Sequence, residues 1–210
     1  VNIINAALAN DLNIIAITDH NSTKQAGLIK KMAEQKGLFV LLGSEINSKE
    51  EVHCLTFFEN IDQLNQFQFY IDQHILPIPN KPDLFGDQVV IDENEMIVEE
   101  LKYLLINALD ATLTEVEQKV HELEGIVVPA HVDRPYNGLF SQLGFLPEDF
   151  CPDGYEISGN ARYSDWKNNK KIPSNSTFIQ SSDAHHPNQI GTSYSWIQME
   201  KISFQEIRLA

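Results

Sequence analysis

The amino-acid sequence predicts an α/β fold in which a mostly parallel sheet carries helices outside it, either a barrel or a doubly wound sheet. Three observations predict it. Short apolar runs alternate with segments of helical periodicity along the chain. One of those runs, "LFVLLGSEI", is unbroken in apolarity, as expected of a strand covered on both faces. The chain has 210 residues, 42% hydrophobic and 21% charged, an ordinary globular composition that fits one domain with a sizeable core.

Taken in order, "VNIINAALANDLN" places Ile3, Ile4, Ala7 and Leu8 at helical spacing and stops near Asn10-Asp11. "NIIAIT" follows as a strand. "TKQAGLIKKMAEQKG" puts Leu28, Ile29, Met32 and Ala33 on one helical stripe, with Gly37 as terminator. "LFVLLGSEI" and "EVHCLTFF" are strands, and "IDQLNQFQFYIDQHI" is a helix with Ile61, Leu64, Phe67 and Ile71 inward. Residues 77–96 change character, with three prolines, a glycine and several acids. The stretch 77–110 reads as an insertion or long loop in a single domain covering residues 1–210. "MIVEELKYLLINAL" and "LTEVEQKVHELEG" have helical periodicity, the second with Thr114 as cap and Gly125 as stop. "IVVPA", "YEIS", "TFIQSSD" and "YSWIQM" complete the strands. There is no internal repeat and no low-complexity tract.

Net charge is -15, from 30 acids against 15 bases. Such a field opposes approach to DNA or an anionic membrane and favours cations, so long duplex nucleic acid is an unattractive partner. No apolar run approaches the ~20 residues that cross a bilayer, and no charged-then-apolar leader opens the chain, so no membrane partner is expected. Cys54 and Cys151 lack C-x-x-C spacing and read as two buried thiols in a reducing compartment, which implies a cytoplasmic protein.

The chemistry-bearing residues fall where the strands run out. "IIAIT" is followed by Asp19-His20, "FVLLGS" by Glu45, "IVVPA" by His131 with Asp133 and Arg134, and "TFIQSS" by Asp183 and then His185, while "EV" leads into His53. If the strands run parallel, these side chains converge at the carboxyl rim, where α/β folds build sites. Each has an ordinary alternative: a turn at Asp19-His20, a half-exposed strand position at His53, a core histidine at His131, a cap at Asp183. Five strand ends breaking in the same way favour the joint reading. Acids and imidazoles gathered in a low-dielectric cavity need compensation, and divalent cations supply it. Imidazole and carboxylate donors suit Zn, Mn or Fe, and Glu45 has two oxygens with which to bridge two ions. His74 and His121 lie on predicted helices and read as solvated. Arg134 is read two ways, gripping a phosphate bidentately or pairing with an acid.

The segments "IIAITDHN", "LLGSEI" with "EVHCL", "PAHVDRP" and "SSDAHHP", in that order from residue 14 to 187, resemble the PHP (polymerase and histidinol phosphatase) family of metal-dependent phosphoesterases. The resemblance implies a distorted seven-stranded β/α barrel holding up to three metal ions. It implies Glu45 bridging two of them, Asp183 on the first, His53 and His131 on the second, and His20 and His185 on a third. Asp19 would orient a ligand or move a proton. The family opens with a strand ending in His-x-His, and no histidine precedes Asp19-His20 here. The expectation is that this strand lies upstream of Val1, together with ligands of the first and third metals.

The expected activity is hydrolysis of a small phosphomonoester, nucleotide or short oligonucleotide by metal-activated water, with Asp19 and Arg134 assisting. A non-catalytic metal-binding module with a regulatory role is the alternative. A hydrolase of C–N bonds is a third reading, for which no bridging lysine stands at the strand ends.

Overall fold

A computed structural model describes residues 2–210. The chain runs α1 (Asn2–Ala9), β1 (Ile14–Ile17), α2 (Ala26–Glu34), β2 (Phe39–Asn47), β3 (His53–Phe58) and α3 (Ile61–His74). An excursion then carries a short α4 (Pro82–Phe85) and strands β4 (Val89–Ile91) and β5 (Ile97–Glu100), before α5 (Leu113–Glu122) and β6 (Ile126–Pro129). The last third holds α6 (Leu139–Gln142), β7 (Tyr155–Ile157), α7 (Tyr163–Lys167), β8 (Phe178–Gln180), a 3-10 turn at Pro187–Gln189 and α8 (Phe204–Leu209).

The central sheet has the order β1-β2-β3-β6 and is mixed, not mostly parallel. β1 pairs β2 in parallel, whereas β3 is antiparallel to both β2 and β6. The linker explains this. Only residues 48–52 separate β2 from β3, and a parallel crossover needs about a dozen or more. The turn closes with Ser48 N donating to Val52 O at 3.0 Å, which sets Asn47 opposite His53. β7 and β8 form a separate parallel pair. Val132 N donates to Glu156 O at 2.9 Å and Asp153 N to Val127 O at 2.9 Å, which lays β7 beside β6. No closed barrel forms among the described residues, where the sheets hold four, two and two strands.

Because β3 is covered on both faces, its side chains serve two cores. Cys54 and Phe58 join the larger core with Ile4 and Ala7 of α1, Ala26, Ile29 and Ala33 of α2, Leu64, Phe67 and Ile71 of α3, and Val116 and Val120 of α5. Leu55 and Phe57 face the other way, against Ile126, Val128 and Phe204 of α8. Ile61, expected inward, is 42% exposed. Both longer helices after β3 begin with reciprocal caps. Asn60 and Gln63 exchange backbone bonds at the head of α3, and Thr112 and Glu115 do so at α5. The α5 cap is therefore Thr112 and not Thr114, which sits inside the first turn.

Four other sequence readings need correction. The helix expected over residues 96–109 is instead β5 followed by turns. Val89, Val90 and Ile91 are β-branched and pair with residues 97–100, and Asp92 closes the turn by accepting from Asn94 N at 2.8 Å and Met96 N at 2.9 Å. "YSWIQM" forms no ladder, although Ser195 Oγ accepts from Gln180 N and donates to Gln180 O. His121 is not simply solvated: it lies between Glu117 (2.9 Å) and Asp153 (3.0 Å). Of the two cysteines only Cys54 is buried; Cys151 is exposed. Among the described residues no helix is long and apolar enough to cross a membrane.

Candidate metal centre

β1 stops at Ile17, but its pairing with β2 resumes as a parallel bridge between His20 and Glu45. The backbone locks this junction. Glu45 N donates to Asp19 O at 3.1 Å, Asn21 N donates to Glu45 O at 3.0 Å, and Ser44 Oγ donates to Asp19 O at 2.8 Å. Asn21 has φ 44°, a left-handed setting that asparagine tolerates. Its buried amide donates to the carbonyls of Leu105 and Asn107, both at 2.7 Å, and accepts from Asn47 N at 3.0 Å. The return of the 77–110 excursion is thus tied to the residue after His20.

His53 opens β3. Its N donates to Asn137 O at 2.8 Å, and its carbonyl accepts from Ala130 N at 2.9 Å, which brings His131 alongside. His131 has φ 29°, an uncommon conformation for any residue but glycine. Its N donates to the buried carboxylate of Glu156 at 3.0 Å. Glu156 also accepts from Ser181 Oγ and so links the ends of β6 and β8. Sequence reading missed Glu156, which looks like one polar residue in the short strand "YEIS". Burial pushes its carboxyl above the ordinary range.

Glu45 is the hub. Its Oε1 lies 2.9 Å from His53 Nδ1 and 3.3 Å from His131 Nε2, and its Oε2 lies 3.7 Å from His20 Nδ1. Burial pushes the Glu45 carboxyl up, but the hydrogen bonds from His131 and His53 outweigh it and hold the group far below its usual range. His131 is the counterpart: burial lowers it, and the bond to Glu45 more than reverses this and raises it. His20 is lowered, because burial exceeds the attraction of Glu45.

The residues fit divalent cations. His20 Nδ1, His53 Nε2 and His131 Nδ1 are buried with no hydrogen-bond partner, a costly state that a ligated ion relieves. His20, Glu45 and His53 each offer a donor atom within 4.8 Å of the others. Two donors on one ion at about 2.1 Å in tetrahedral array stand roughly 3.4 Å apart, comparable to the 3.7 Å between Glu45 Oε2 and the orphan His20 Nδ1. His53 and His131 face Glu45 with their other nitrogens and leave Nε2 and Nδ1 as the open donors. Cys54 adds no thiolate, since burial pushes its thiol well up.

The other expected residues sit at the rim. Asp183 has φ 45° and accepts from Arg134 Nη1 at 2.6 Å. Of the two readings of Arg134, the structure contains the ion pair. His185 is exposed; its Nδ1 is 3.8 Å from Asp183 Oδ1 and its ring 6.3 Å from that of His20. The Asp19 side chain is exposed, and its backbone carbonyl does the positioning described above. Asp133 is taken up by Ser158, whose N and Oγ both donate to it. The structure therefore gathers His20, Glu45, His53 and His131 directly, with Asp183, His185 and Arg134 beside them. Convergence does not come from parallel strands: His53 reaches the rim at the amino end of an antiparallel strand.

An α/β fold with a histidine–glutamate cluster at one rim of its sheet is the class that fold and site define. The particular proteins similar to it are few in sequence and more telling in structure. No family model matches the sequence. The uncharacterised protein YqxK of Bacillus subtilis (strain 168) is 23% identical over 181 residues, covering 81% of this chain and 40% of YqxK. Endonuclease Q of Pyrococcus furiosus, a lesion-specific endonuclease, shares the fold with TM-score 0.66 and 19% identity over 99% of this chain and 49% of its own. An endonuclease Q complex with a 27-mer duplex bearing an abasic lesion at the active site gives TM-score 0.69 at 19% identity, over 99% and 50%. A chain described as a metal-dependent phosphoesterase from Bifidobacterium adolescentis gives 0.61 at 17%, over 99% and 88%. The chain spans less than half of YqxK and about half of endonuclease Q.

These relatives correct one expectation. Net charge argued against long duplex nucleic acid, yet endonuclease Q, which shares this fold over half of its own length, is found in complex with a duplex. A whole-chain charge is a poor guide because exposed charges are largely screened beyond ~8 Å at physiological salt. What counts is the local balance around the site.

Proposed function

We propose that this chain is the catalytic part of a metal-dependent phosphoester hydrolase whose substrate is a nucleotide or nucleic-acid phosphodiester. One observation carries the reading: Glu45 sits against three imidazoles, and each of those rings keeps a buried nitrogen without a hydrogen-bond partner. His20, Glu45, His53 and His131 would hold up to three ions of Zn, Mn or Fe, with Asp183 and His185 as further ligands. When bound, such ions activate water and draw charge from phosphoryl oxygens.

The chain's own residues set the geometry. Glu156 fixes the His131 backbone, and the Asp19 carbonyl fixes Glu45. Arg134 holds Asp183 and presents its remaining donors toward a phosphoryl oxygen. Asp19, exposed beside His20, moves the proton. Similarity of fold to endonuclease Q and to the phosphoesterase supports the substrate class.

The test is hydrolysis of bis(p-nitrophenyl) phosphate and of a duplex with one abasic site, by chain loaded with Mn or Zn. Turnover is expected, and Glu45→Gln should lower it at least ~100-fold, the scale on which removing an electrostatic contributor acts. No turnover of either substrate by metal-loaded wild type overturns the proposal. The Arg134–Asp183 pair favours one rival, a non-catalytic metal module in which that carboxylate is already occupied. Metal binding with no turnover would establish it.

A further inference from the structure

Beside Arg134 and the residues that lead into Asp183 lies a polar groove of about 530 Å³ whose lining includes Asp133, Arg134, Ser158, Asn160, Ser182 and Ser193. The two chain segments that leave this lining, after Asn160 and after Ser193, carry features that the hydrolytic reading does not use. The segment after Asn160 inverts the charge of the molecule. Arg162, Lys167, Lys170 and Lys171 stand against the single acid Asp165, in a chain with twice as many acids as bases. Among the described residues none of the four pairs with an acid, although six other lysines and arginines do. All four are exposed. α7 is held in place by Trp166 stacked on Phe140 and Tyr163 edge-on to Phe178, each at 5.8 Å.

The segment after Ser193 carries two exposed aromatics. Trp196 is 88% exposed and Tyr194 52%, with ring centroids 5.8 Å apart. The two segments are tied together by Gln180, whose side chain donates to the carbonyls of Ser158 (2.9 Å) and Ala161 (3.1 Å) and whose backbone bonds Ser195 on both sides. The turn at Gly159 closes on Ser193 so tightly that a Cβ there would meet the Ser193 Cβ at 2.8 Å.

We infer that this groove, with the basic α7 segment and the Tyr194–Trp196 pair, is a binding track for a single DNA strand leading to the metal centre. Cations that track a backbone and open aromatic faces on which bases stack are the two parts such a track needs. The polar lining supplies donors to phosphate and sugar oxygens. The proposal rests on the phosphoester reading of the site but concerns different residues.

The probe is fluorescein-labelled dT20, with binding followed by anisotropy in EDTA across a NaCl series, so that hydrolysis plays no part. Wild type should bind with strong salt dependence. Lys167→Ala/Lys170→Ala/Lys171→Ala should weaken binding at low salt and reduce the slope of log K against log[salt] by about 2, given roughly 0.7 per phosphate contact on single strands. Trp196→Ala should weaken binding about tenfold with an unchanged slope, as loss of one stacked base does. These side chains are exposed, with Lys167 over the Tyr163 ring and Lys171 over that of Phe140, and circular dichroism and melting temperature control for folding. Absence of dT20 binding at any salt overturns the inference, as does binding that neither variant alters. Tighter binding of rU20 than dT20 by more than tenfold overturns the assignment to DNA. Hydrolysis of bis(p-nitrophenyl) phosphate without dT20 binding removes the track and leaves the activity. Binding without any hydrolysis does the reverse.

Discussion

At Glu45, burial and hydrogen bonding pull the carboxyl group in opposite directions, and the bonds from His131 and His53 win. The consequence is a pH profile that the metal-free chain should display. Glu45 is held below its ordinary 4.5, so its contribution to stability is present above 4.5 and lost as pH falls through the folded value. His131 is held above its ordinary 6.5, so its contribution is complete below 6.5 and lost as pH rises through the folded value. Both contributions coexist between about 4.5 and 6.5. His20, held below its ordinary 6.5, and Glu156, held above its ordinary 4.5, act against folding in the same window. The Glu45–His131 contribution is therefore read from the variant: Glu45→Gln should lower the melting temperature in EDTA more inside that window than above it, and an equal loss at both would contradict the electrostatics described. Metal affinity should move differently, rising with pH as the imidazoles lose the protons that compete with the ion.

The pairing of β2 with β3 is the element on which the site turns. Gly43 faces Thr56 so closely that a Cβ would stand 2.2 Å from the Thr56 carbonyl and 3.0 Å from the Phe57 ring. Gly43→Ala should therefore cost about 1–3 kcal/mol, the usual price of overpacking, measured by urea denaturation. It should also weaken metal binding, because Glu45 and the His53 pairing partner Asn47 lie two and four residues further along β2. Undiminished stability would show that the strands separate there at no cost. This element also shows what the sequence could and could not reveal. Apolarity marked β2 and β3 as buried strands, and Glu45 and His53 stood out as polar interruptions. Their direction was legible too, since a five-residue linker permits only a reversal, but the alternating pattern elsewhere suggested parallel strands. The 96–109 segment was misread for a related reason: Ile97, Val98, Leu101, Leu104 and Leu105 mimic helical spacing, and only pairing with Val89–Ile91 decides for strand.

Over the whole molecule, the separation of charge is more informative than its sum. Acids dominate the total, while unpaired bases gather in a segment that leaves the groove beside Arg134. Such a separation is invisible to a count and visible only once the fold places α7 and β8 together. The gathering of histidines around Glu45 was more legible than the topology, since residue type at strand ends is a local property and sheet closure is not. Glu156 escaped because its role, holding the backbone of His131, leaves no local signature. All of these parts bear on the proposed shared coordination of an ion by His20, Glu45 and His53. Metal content by plasma mass spectrometry, on chain purified without chelator and dialysed against Zn or Mn, tests this most directly. We expect at least one tightly held ion per chain in wild type and none in Glu45→Gln/His53→Ala. A wild-type chain that retains no ion, or a double variant that retains the same number, would contradict it.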